Sequence, residues 1–242
     1  VIVSGYDLGM NTLGGFSEYI RVPSNWVVIK PSLLSSKDSM AIGTAGLTAG
    51  LCIKAIEEKK NIKGINAIVS GATGGVGSIA VNLLSKLGAN VTAITGKKDS
   101  HKFLRNLGAK KVIDRNQFLE SVRRPIGKGV WDAAIDVVGG KTLTSILGSL
   151  KYGGIVTCCG LVDNPNFETS VFPFILRANQ LIGIDSAEAA LSSKKKIWQL
   201  FSNKWKLNNL EQLTRTIELE EIFSEINKIL AGNQCGRVII KL

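Results

Sequence analysis

Two kinds of hydrophobic pattern alternate along this chain. Short continuous apolar runs, rich in β-branched residues, predict buried strands at residues 67–72, 91–95, 111–114, 133–138, 154–159 and 181–185. Apolar residues at helical spacing predict helices over residues 75–87, 100–107 and 143–150, the first two stopped by Gly88 and Gly108. Strands that alternate with helices and carry continuous apolar runs predict an α/β fold, a doubly wound parallel sheet covered on both faces.

The composition agrees with a compact protein. The chain has 242 residues, of which 45% are hydrophobic, with 26 Gly and only 5 Pro, and this excludes a disordered chain. No apolar run reaches the roughly 18 residues that a membrane helix needs, so we expect no membrane segment. The opening residues 1–5 carry no basic and then apolar leader, and we expect no signal peptide.

The formal net charge of +11 allows two kinds of partner. One is nucleic acid, and the other is a polyanionic small molecule such as NADPH or a coenzyme A thioester. The lysines are scattered, no aromatic residues interleave with them, and no nucleic-acid motif is present. We therefore expect no nucleic-acid partner, and a solvated surface is the default interpretation. A basic helix over residues 194–206 is expected to face solvent.

The cysteines and the histidine do not form a zinc pattern. Cysteines stand at positions 52, 158, 159 and 235 without a C-x-x-C spacing, and His101 is the only histidine. Zinc is usually held by three or four convergent His and Cys ligands, so we expect no metal. The cysteines are interpreted as reduced, buried and structural, which is typical of a cytoplasmic protein. His101 is interpreted as a surface residue.

A glycine-rich turn, G-x-x-G-G-x-G over residues 71–77, follows a predicted strand and opens a predicted helix. Glycines let the backbone approach a pyrophosphate, and the helix N-terminus offers unpaired N–H groups to the phosphates. The turn therefore predicts a dinucleotide site, with a merely structural turn as the alternative.

The end of the second strand distinguishes between the two nicotinamide cofactors. NAD enzymes place an acidic residue there for the ribose hydroxyls, whereas this chain has Thr95, Gly96 and Lys97. A hydroxyl and a cation suit a 2′-phosphate, and Arg115, after the third strand, can offer a bidentate fork. Asp99 is expected to cap the following helix. NADPH is therefore favoured over NADH, and solvated surface charge is the alternative for Lys97 and Arg115.

Several motifs resemble the zinc-free branch of the medium-chain dehydrogenase/reductase superfamily, near the acrylyl-CoA reductases and quinone oxidoreductases. They are the stretches at residues 14–19, 42–49, 152–154, 159–161, 172–177 and 183–186. The resemblance implies a Rossmann NADPH-binding domain over residues 46–187. Residues 1–45 would be the C-terminal part of a GroES-like, β-rich catalytic domain, to which residues 188–242 return. The family's first strands have no counterpart in this chain.

The resemblance also implies roles for individual residues. The pyrophosphate would be held by Thr73, Gly74, Gly75 and Val76, and the 2′-phosphate by Thr95, Gly96 and Lys97, with Arg115 helping. Leu161 and Ile175 would line the dinucleotide, although ordinary core positions are almost as well supported. Ser186 would orient the carboxamide. Tyr6 and Asn11 are candidate cleft residues, for which a structural turn is the favoured alternative, and no residue is assigned as catalytic.

The expected chemistry is conjugate reduction, since the chain offers no zinc ligand set and this reaction needs no Lewis acid. Hydride from the nicotinamide adds to the β-carbon of an α,β-unsaturated acyl-CoA, and hydrogen bonds stabilise the enolate. A quinone or enone reductase is the nearest alternative, and a non-catalytic dinucleotide-binding module is a third. The resemblance further implies a homodimer, paired through the sheet edge at residues 181–185.

Overall fold

The computed structural model describes residues 1–122 and 124–242, which form two compact units. The first unit combines Val1–Leu47 with Asp185–Leu242, and the second is Thr48–Ile184. The sequence instead predicts domain boundaries after residues 45 and 187, and this division of the chain remains a proposal. In chain order, the elements up to the end of the second unit are β1 (Ile2–Val3), β2 (Val27–Val28), α1 (Ser36–Glu57), β3 (Asn66–Val69), α2 (Gly75–Lys86), β4 (Asn90–Thr95), α3 (His101–Asn106), β5 (Lys111–Asp114), α4 (Arg115–Ser121), β6 (Trp131–Asp136), α5 (Gly140–Ser149), β7 (Leu150–Cys158), α6 (Phe172–Arg177) and β8 (Gln180–Gly183). The remaining elements are α7 (Leu191–Ser202), α8 (Leu210–Leu213), β9 (Thr214–Glu218), α9 (Ile222–Leu230) and β10 (Arg237–Lys241).

The second unit contains a parallel six-stranded sheet in the order β5-β4-β3-β6-β7-β8. The six strands predicted from the apolar runs are all present, and the predicted doubly wound fold is confirmed. The strand order reverses between β3 and β6, which pair at Val69 and Ile135. In such sheets, ligands bind outside the carboxyl ends of the strands at this switch point.

One face of this sheet is covered by α4 and α5. Phe118 from α4 and Leu143, Ile146 and Leu147 from α5 belong to the same buried cluster as strand residues Ile68, Ile94, Ala134 and Val156. Each of these strand residues leaves at most 1% of its surface exposed. Because side chains alternate along a strand, the strands need apolar residues on consecutive positions to cover both faces. This requirement explains the continuous apolar runs in the sequence.

Helix α1 is a long apolar helix of 22 residues and is bent at Gly43. By length and composition alone it could span a membrane, so the expectation that no stretch is long enough was wrong, but 67% of its apolar window is buried within the protein. Gly43 has φ +50°, and a Cβ there would lie 2.6 Å from Nη2 of Arg237. The bend therefore requires glycine, and the mostly buried window is typical of a core helix.

The first unit contains two small sheets and a buried lysine. Strands β1 and β2 pair antiparallel, and β9 pairs with β10 in parallel. Lys194, on α7, is only 1% exposed, and its Nζ donates to the carbonyl oxygens of Ser4 at 2.8 Å and Ala187 at 2.7 Å. The same Nζ lies 3.3 Å from the centre of the Tyr6 ring. The expectation that this basic helix faces solvent is therefore wrong for Lys194, although Lys195 and Lys196 are exposed.

Candidate functional site

The glycine-rich turn connects β3 to α2 at the switch point of the sheet. Gly71 has φ +53°, and a Cβ on it would lie 2.5 Å from Cγ2 of Val137. A Cβ on Gly77 would lie 2.3 Å from the carbonyl oxygen of Gly71. Both distances are far below a van der Waals contact, so side chains at these positions would displace the turn. The glycines therefore allow the turn to pack tightly at the start of the helix.

The N-terminus of α2 has the properties of an anion site. Its N-cap is Gly74, which has no side chain to bind the first amides, and its first turn contains no acidic residue. The N–H groups of a helix of 12 residues then point out of the turn with the positive end of the helix dipole behind them. Thr73, Gly74, Gly75 and Val76 are brought together here, and their backbone fits a pyrophosphate.

A second cluster forms where β4 and β5 end. Thr95 is paired with Asp114 across these strands, and the backbone N–H of Lys97 donates to Oγ1 of Thr95 at 3.0 Å. A Cβ on Gly96 would lie 3.5 Å from both Cζ and Nη2 of Arg115, so the guanidinium lies directly against this glycine. The structure thus brings together all four residues that the sequence assigned to the 2′-phosphate.

Asp99 does not cap the following helix. It lies within a 3₁₀ turn, Lys98–Ser100, and the N-cap of α3 is Ser100, which makes no side-chain capping hydrogen bond. The expectation from the sequence was wrong because an extra turn precedes the helix and moves the cap by one residue. His101 is the first residue of α3 and is half-buried.

The three remaining cofactor candidates are not part of these clusters. Leu161 is 65% exposed and Ile175, on α6, is 70% exposed, so the alternative that they are core residues is wrong. Ser186 belongs to the first unit. It lies in a tight turn in which Oδ1 of Asp185 accepts the backbone N–H groups of Ala187 at 2.8 Å and Glu188 at 3.0 Å. Their contact with a dinucleotide remains a prediction.

Tyr6 and Asn11 have structural partners. The Tyr6 ring stacks on Trp26 with centroids 5.4 Å apart, and its hydroxyl donates to the carbonyl oxygen of Ala189 at 3.2 Å. Nδ2 of Asn11 donates to Oδ1 of Asp7 at 2.8 Å within one loop. These contacts support the structural interpretation that was favoured from the sequence.

One functional feature was missed, a buried carboxylate beneath the glycine turn. Asp136 ends β6 and is completely buried, as is Ser70, which directly precedes the turn. Burial raises the pKa of Asp136, while hydrogen bonds from Ser70, Gly139, Val138 and Cys158 oppose this rise. The available signal was an acidic residue within the apolar run predicted as a strand over residues 133–138.

The cysteines are less buried than expected, and all four are free. Cys52 is buried, whereas Cys158, Cys159 and Cys235 are half-buried. A hydrogen bond with Cys52, followed by burial, raises the pKa of the Cys159 thiol far above its ordinary value. Among residues 1–122 and 124–242, no group of three His, Cys, Asp or Glu side chains could hold a metal ion. The residues described therefore do not fit a zinc site.

Comparison with known proteins links this geometry to one family. Residues 75–203 match the family described as zinc-binding dehydrogenase. The putative quinone oxidoreductase YhfP of Bacillus subtilis is 40% identical over 245 residues, which is 100% of this chain and 74% of that protein. Its crystal structure with NAD bound has a TM-score of 0.95 at 39% identity, covering 99% of this chain and 74% of that one.

Two further proteins match this chain over a similar share of their length. The probable acrylyl-CoA reductase AcuI of Escherichia coli is 39% identical over 243 residues, covering 100% of this chain and 74% of that protein. The yhdH oxidoreductase of Salmonella enterica, solved in complex with NADP, has a TM-score of 0.94 at 37% identity. That match covers 99% of this chain and 74% of the solved one.

Proposed function

We propose, from the premise that this chain belongs to the zinc-binding dehydrogenase family of the medium-chain dehydrogenase/reductase superfamily, that it uses NADPH to reduce an α,β-unsaturated acyl-CoA. The chain is an oxidoreductase of this family, and its cofactor is NADPH. Relatives named acrylyl-CoA reductase support the acyl-CoA substrate. The observation that carries the cofactor assignment is the Arg115 guanidinium lying against Gly96, next to Thr95 and Lys97.

The two clusters would divide the recognition of NADPH between them. The backbone of Thr73, Gly74, Gly75 and Val76 would bind the pyrophosphate, and the glycines permit the close approach. Arg115 would bind the 2′-phosphate, together with Lys97, a point charge without the planar fork of arginine. This 2′-phosphate cluster would therefore discriminate against NADH, which carries a ribose hydroxyl in place of the 2′-phosphate. Leu161 and Ile175 would line the dinucleotide, and the role of Ser186 in orienting the carboxamide stays a prediction.

The proposed reaction converts an enoyl-CoA into a saturated acyl-CoA. Bound NADPH supplies a hydride to the β-carbon, and the π electrons of the C=C bond form an enolate on the thioester. A proton from water at the α-carbon completes the product, with NADP⁺ released. The contribution of the described residues is to hold the cofactor in a fixed position, because orientation lowers the barrier of such a transfer.

Titration of the purified chain with NADPH and with NADH tests the cofactor assignment. We expect tighter binding of NADPH, and a reduced preference in Lys97→Glu, because a carboxylate there repels the 2′-phosphate. An unchanged preference would remove Lys97 from the site. Equal affinities of the original chain for both cofactors would overturn the assignment, and this outcome matters because a relative was solved with NAD bound.

Oxidation of NADPH in the presence of acrylyl-CoA or a quinone tests the substrate. Reduction of acrylyl-CoA supports the proposal, whereas turnover of the quinone alone supports the second candidate, which the putative quinone oxidoreductase among the relatives favours. A chain that binds NADPH but turns over neither substrate would be compared with a fusion that adds the part of the relatives that this chain does not match. If the fusion is also inactive, the chain is a non-catalytic module.

We also propose that the protein is a cytoplasmic homodimer. Strand β8 is the last strand of the sheet order, and a Cβ on its Gly183 would meet nothing within 4 Å. Near it in sequence, Val171, Phe172 and Ile175 expose 62%, 47% and 70% of their surfaces. An open strand edge beside apolar residues suits pairing across a two-fold axis. A solution mass matching one chain of 25.9 kDa would contradict the dimer.

A further inference from the structure

We infer that Asp136 is a positioning residue for the pyrophosphate half of the cofactor site. Its buried carboxylate holds Ser70 and the turn over residues 137–139 against Gly71, and so fixes the shape of the glycine-rich turn. The inference rests on the proposed binding of NADPH. Asp136 and Ser70 are completely buried, so we expect them to act through the turn and not by direct contact with the cofactor.

Donors surround the carboxylate. Its Oδ1 accepts the hydroxyl of Ser70 at 2.6 Å, and its Oδ2 accepts the backbone N–H of Gly139 at 2.8 Å. The N–H of Val138 and the thiol of Cys158, 3.9 Å from Oδ2, also donate to it. A buried carboxylate that accepts several hydrogen bonds holds its donors in fixed positions.

Ser70 completes the link to the turn. While its hydroxyl donates to Asp136, its Oγ accepts the backbone N–H of Val137 at 3.0 Å. Ser70 directly precedes Gly71, so the carboxylate fixes the chain on both sides of the switch point. The start of the glycine turn after β3 and the turn after β6 are thus joined by one buried side-chain network.

The two turns are also in steric contact. A Cβ on Gly71 would lie 2.5 Å from Cγ2 of Val137 and 3.0 Å from Cγ1 of Val138. These two side chains therefore pack directly against Gly71. On its other side, Val137 is held by Gly160, where a Cβ would lie 2.3 Å from the Val137 carbonyl oxygen. A shift of the turn after β6 therefore moves the first glycine of the phosphate turn.

The groups around Asp136 are hydrogen-bond donors, so its side chain must supply acceptors. Asparagine has the same shape but presents an amide NH₂ to donors that already point at the site, which leaves buried N–H or O–H groups without an acceptor. Asp136→Asn is therefore a nearly isosteric variant that should loosen the turn without changing the volume of the core. Ser70→Ala removes one donor to the carboxylate and the acceptor of the Val137 amide, and should act in the same direction more weakly.

The matched control lies on the same strand. Asp132, four residues earlier on β6, accepts the backbone N–H of Asn66 at 2.9 Å and Nζ of Lys151 at 2.8 Å. It stands near the amino end of the sheet, away from the phosphate turn. Asp132→Asn removes hydrogen bonds of the same kind, so it reports the effect of lost stability alone.

Two probes separate the halves of the cofactor site. NADPH engages both halves, whereas 2′-AMP lacks the pyrophosphate and engages only the 2′-phosphate cluster. Dissociation constants of both, measured by calorimetry, and thermal unfolding would be compared for the original chain, Asp136→Asn, Ser70→Ala and Asp132→Asn. We expect Asp136→Asn to weaken NADPH binding by about tenfold or more, because a charged buried hydrogen-bond network is lost, and to leave 2′-AMP binding unchanged.

The other outcomes also give clear answers. The inference is overturned if Asp136→Asn and Ser70→Ala both bind NADPH as tightly as the original chain does. An equal loss in Asp132→Asn, or a parallel loss of 2′-AMP binding, also overturns it, since either result indicates a general loss of structure. If the original chain binds neither probe, the proposed function itself fails, which is a different result from all of these.

Discussion

Removal of the Arg115 guanidinium should shift cofactor preference by a predictable amount. Arg115 lies at the carboxyl end of the sheet, with Cζ and Nη2 at 3.5 Å from the position of a Gly96 Cβ. No side chain at residue 96 separates the guanidinium from a ligand in this place. Arg115→Ala would therefore remove a charge that we expect to bind the 2′-phosphate of NADPH.

The magnitude follows from the exposure of the residue. A hydrogen bond to a charged group contributes about 1.5–3 kcal/mol, and Arg115 is exposed, so solvent screening favours the lower end. Since about 1.4 kcal/mol corresponds to a factor of ten in the dissociation constant, we expect NADPH binding to weaken about tenfold. Binding of NADH, which has no 2′-phosphate, should change by less than about twofold.

Cofactor fluorescence titrations at a fixed low salt concentration would measure both constants. Lys111→Ala is the matched control, because Lys111 is an exposed cation at the start of β5, the strand that directly precedes Arg115. It removes the same net charge without touching the cluster. An equal loss of NADPH and NADH affinity in Arg115→Ala, or an equal effect of both variants, would refute a specific 2′-phosphate contact.

The remaining predictions concern buried polar groups. Lys194→Met should destabilise the chain by about 1–3 kcal/mol in urea unfolding, because the Ser4 carbonyl loses a buried hydrogen bond and the Ala187 carbonyl keeps only the Tyr6 amide as donor, whereas alanine at the exposed Lys195 should have little effect. Burial acts to raise the pKa of Asp132, but the hydrogen bond from Lys151 contributes to a net lowering of that pKa. The ionised carboxylate therefore stabilises the folded chain above the unfolded pKa of about 3.9, and this stabilisation is lost as the pH falls through the lower folded pKa. Lys151→Met should make the free energy of unfolding depend less on pH in this acidic range. The Cys159 thiol, whose pKa is raised, should react with a disulfide reagent much more slowly in the folded chain than in urea, and fast labelling of the folded chain would contradict this.

The strands of the sheet could be predicted because burial on both faces leaves a continuous apolar run. The predicted strand at residues 111–114 has the same bounds as β5, and the helix predicted over residues 75–87 is observed as Gly75–Lys86. Strand β7 begins at Leu150, four residues before the predicted start, because Lys151, Tyr152 and Gly153 do not resemble a buried strand and Leu150 fits the spacing of the preceding helix. Local pattern thus located the strands, while their order required the three-dimensional structure.

Lys194 illustrates why other features could not be read from charge alone. Its run of three lysines indicates a solvated surface. Counted at helical spacing, however, Lys194 shares a face with Ile197, Trp198 and Phe201, each of which is at most 1% exposed. Its ammonium is accommodated there by the carbonyl of the nearby Ala187 and by that of Ser4, which is distant in the sequence, and no local pattern encodes the Ser4 contact.

The charge around the proposed 2′-phosphate cluster also depends on Asp114, which the rule based on the residues after β4 does not consider. The absence of an acidic residue after β4 favours NADPH, yet Asp114 ends the neighbouring strand and is paired with Thr95. Its Oδ1 accepts the backbone N–H groups of Asn116 at 2.8 Å and Gln117 at 3.3 Å, so the carboxylate caps α4 and part of its charge is balanced by the helix dipole. Because this acid is engaged with its own helix, we expect Lys97 and Arg115 to dominate the local potential, and the proposed preference for a 2′-phosphate rests on both residues together with the orientation of Asp114.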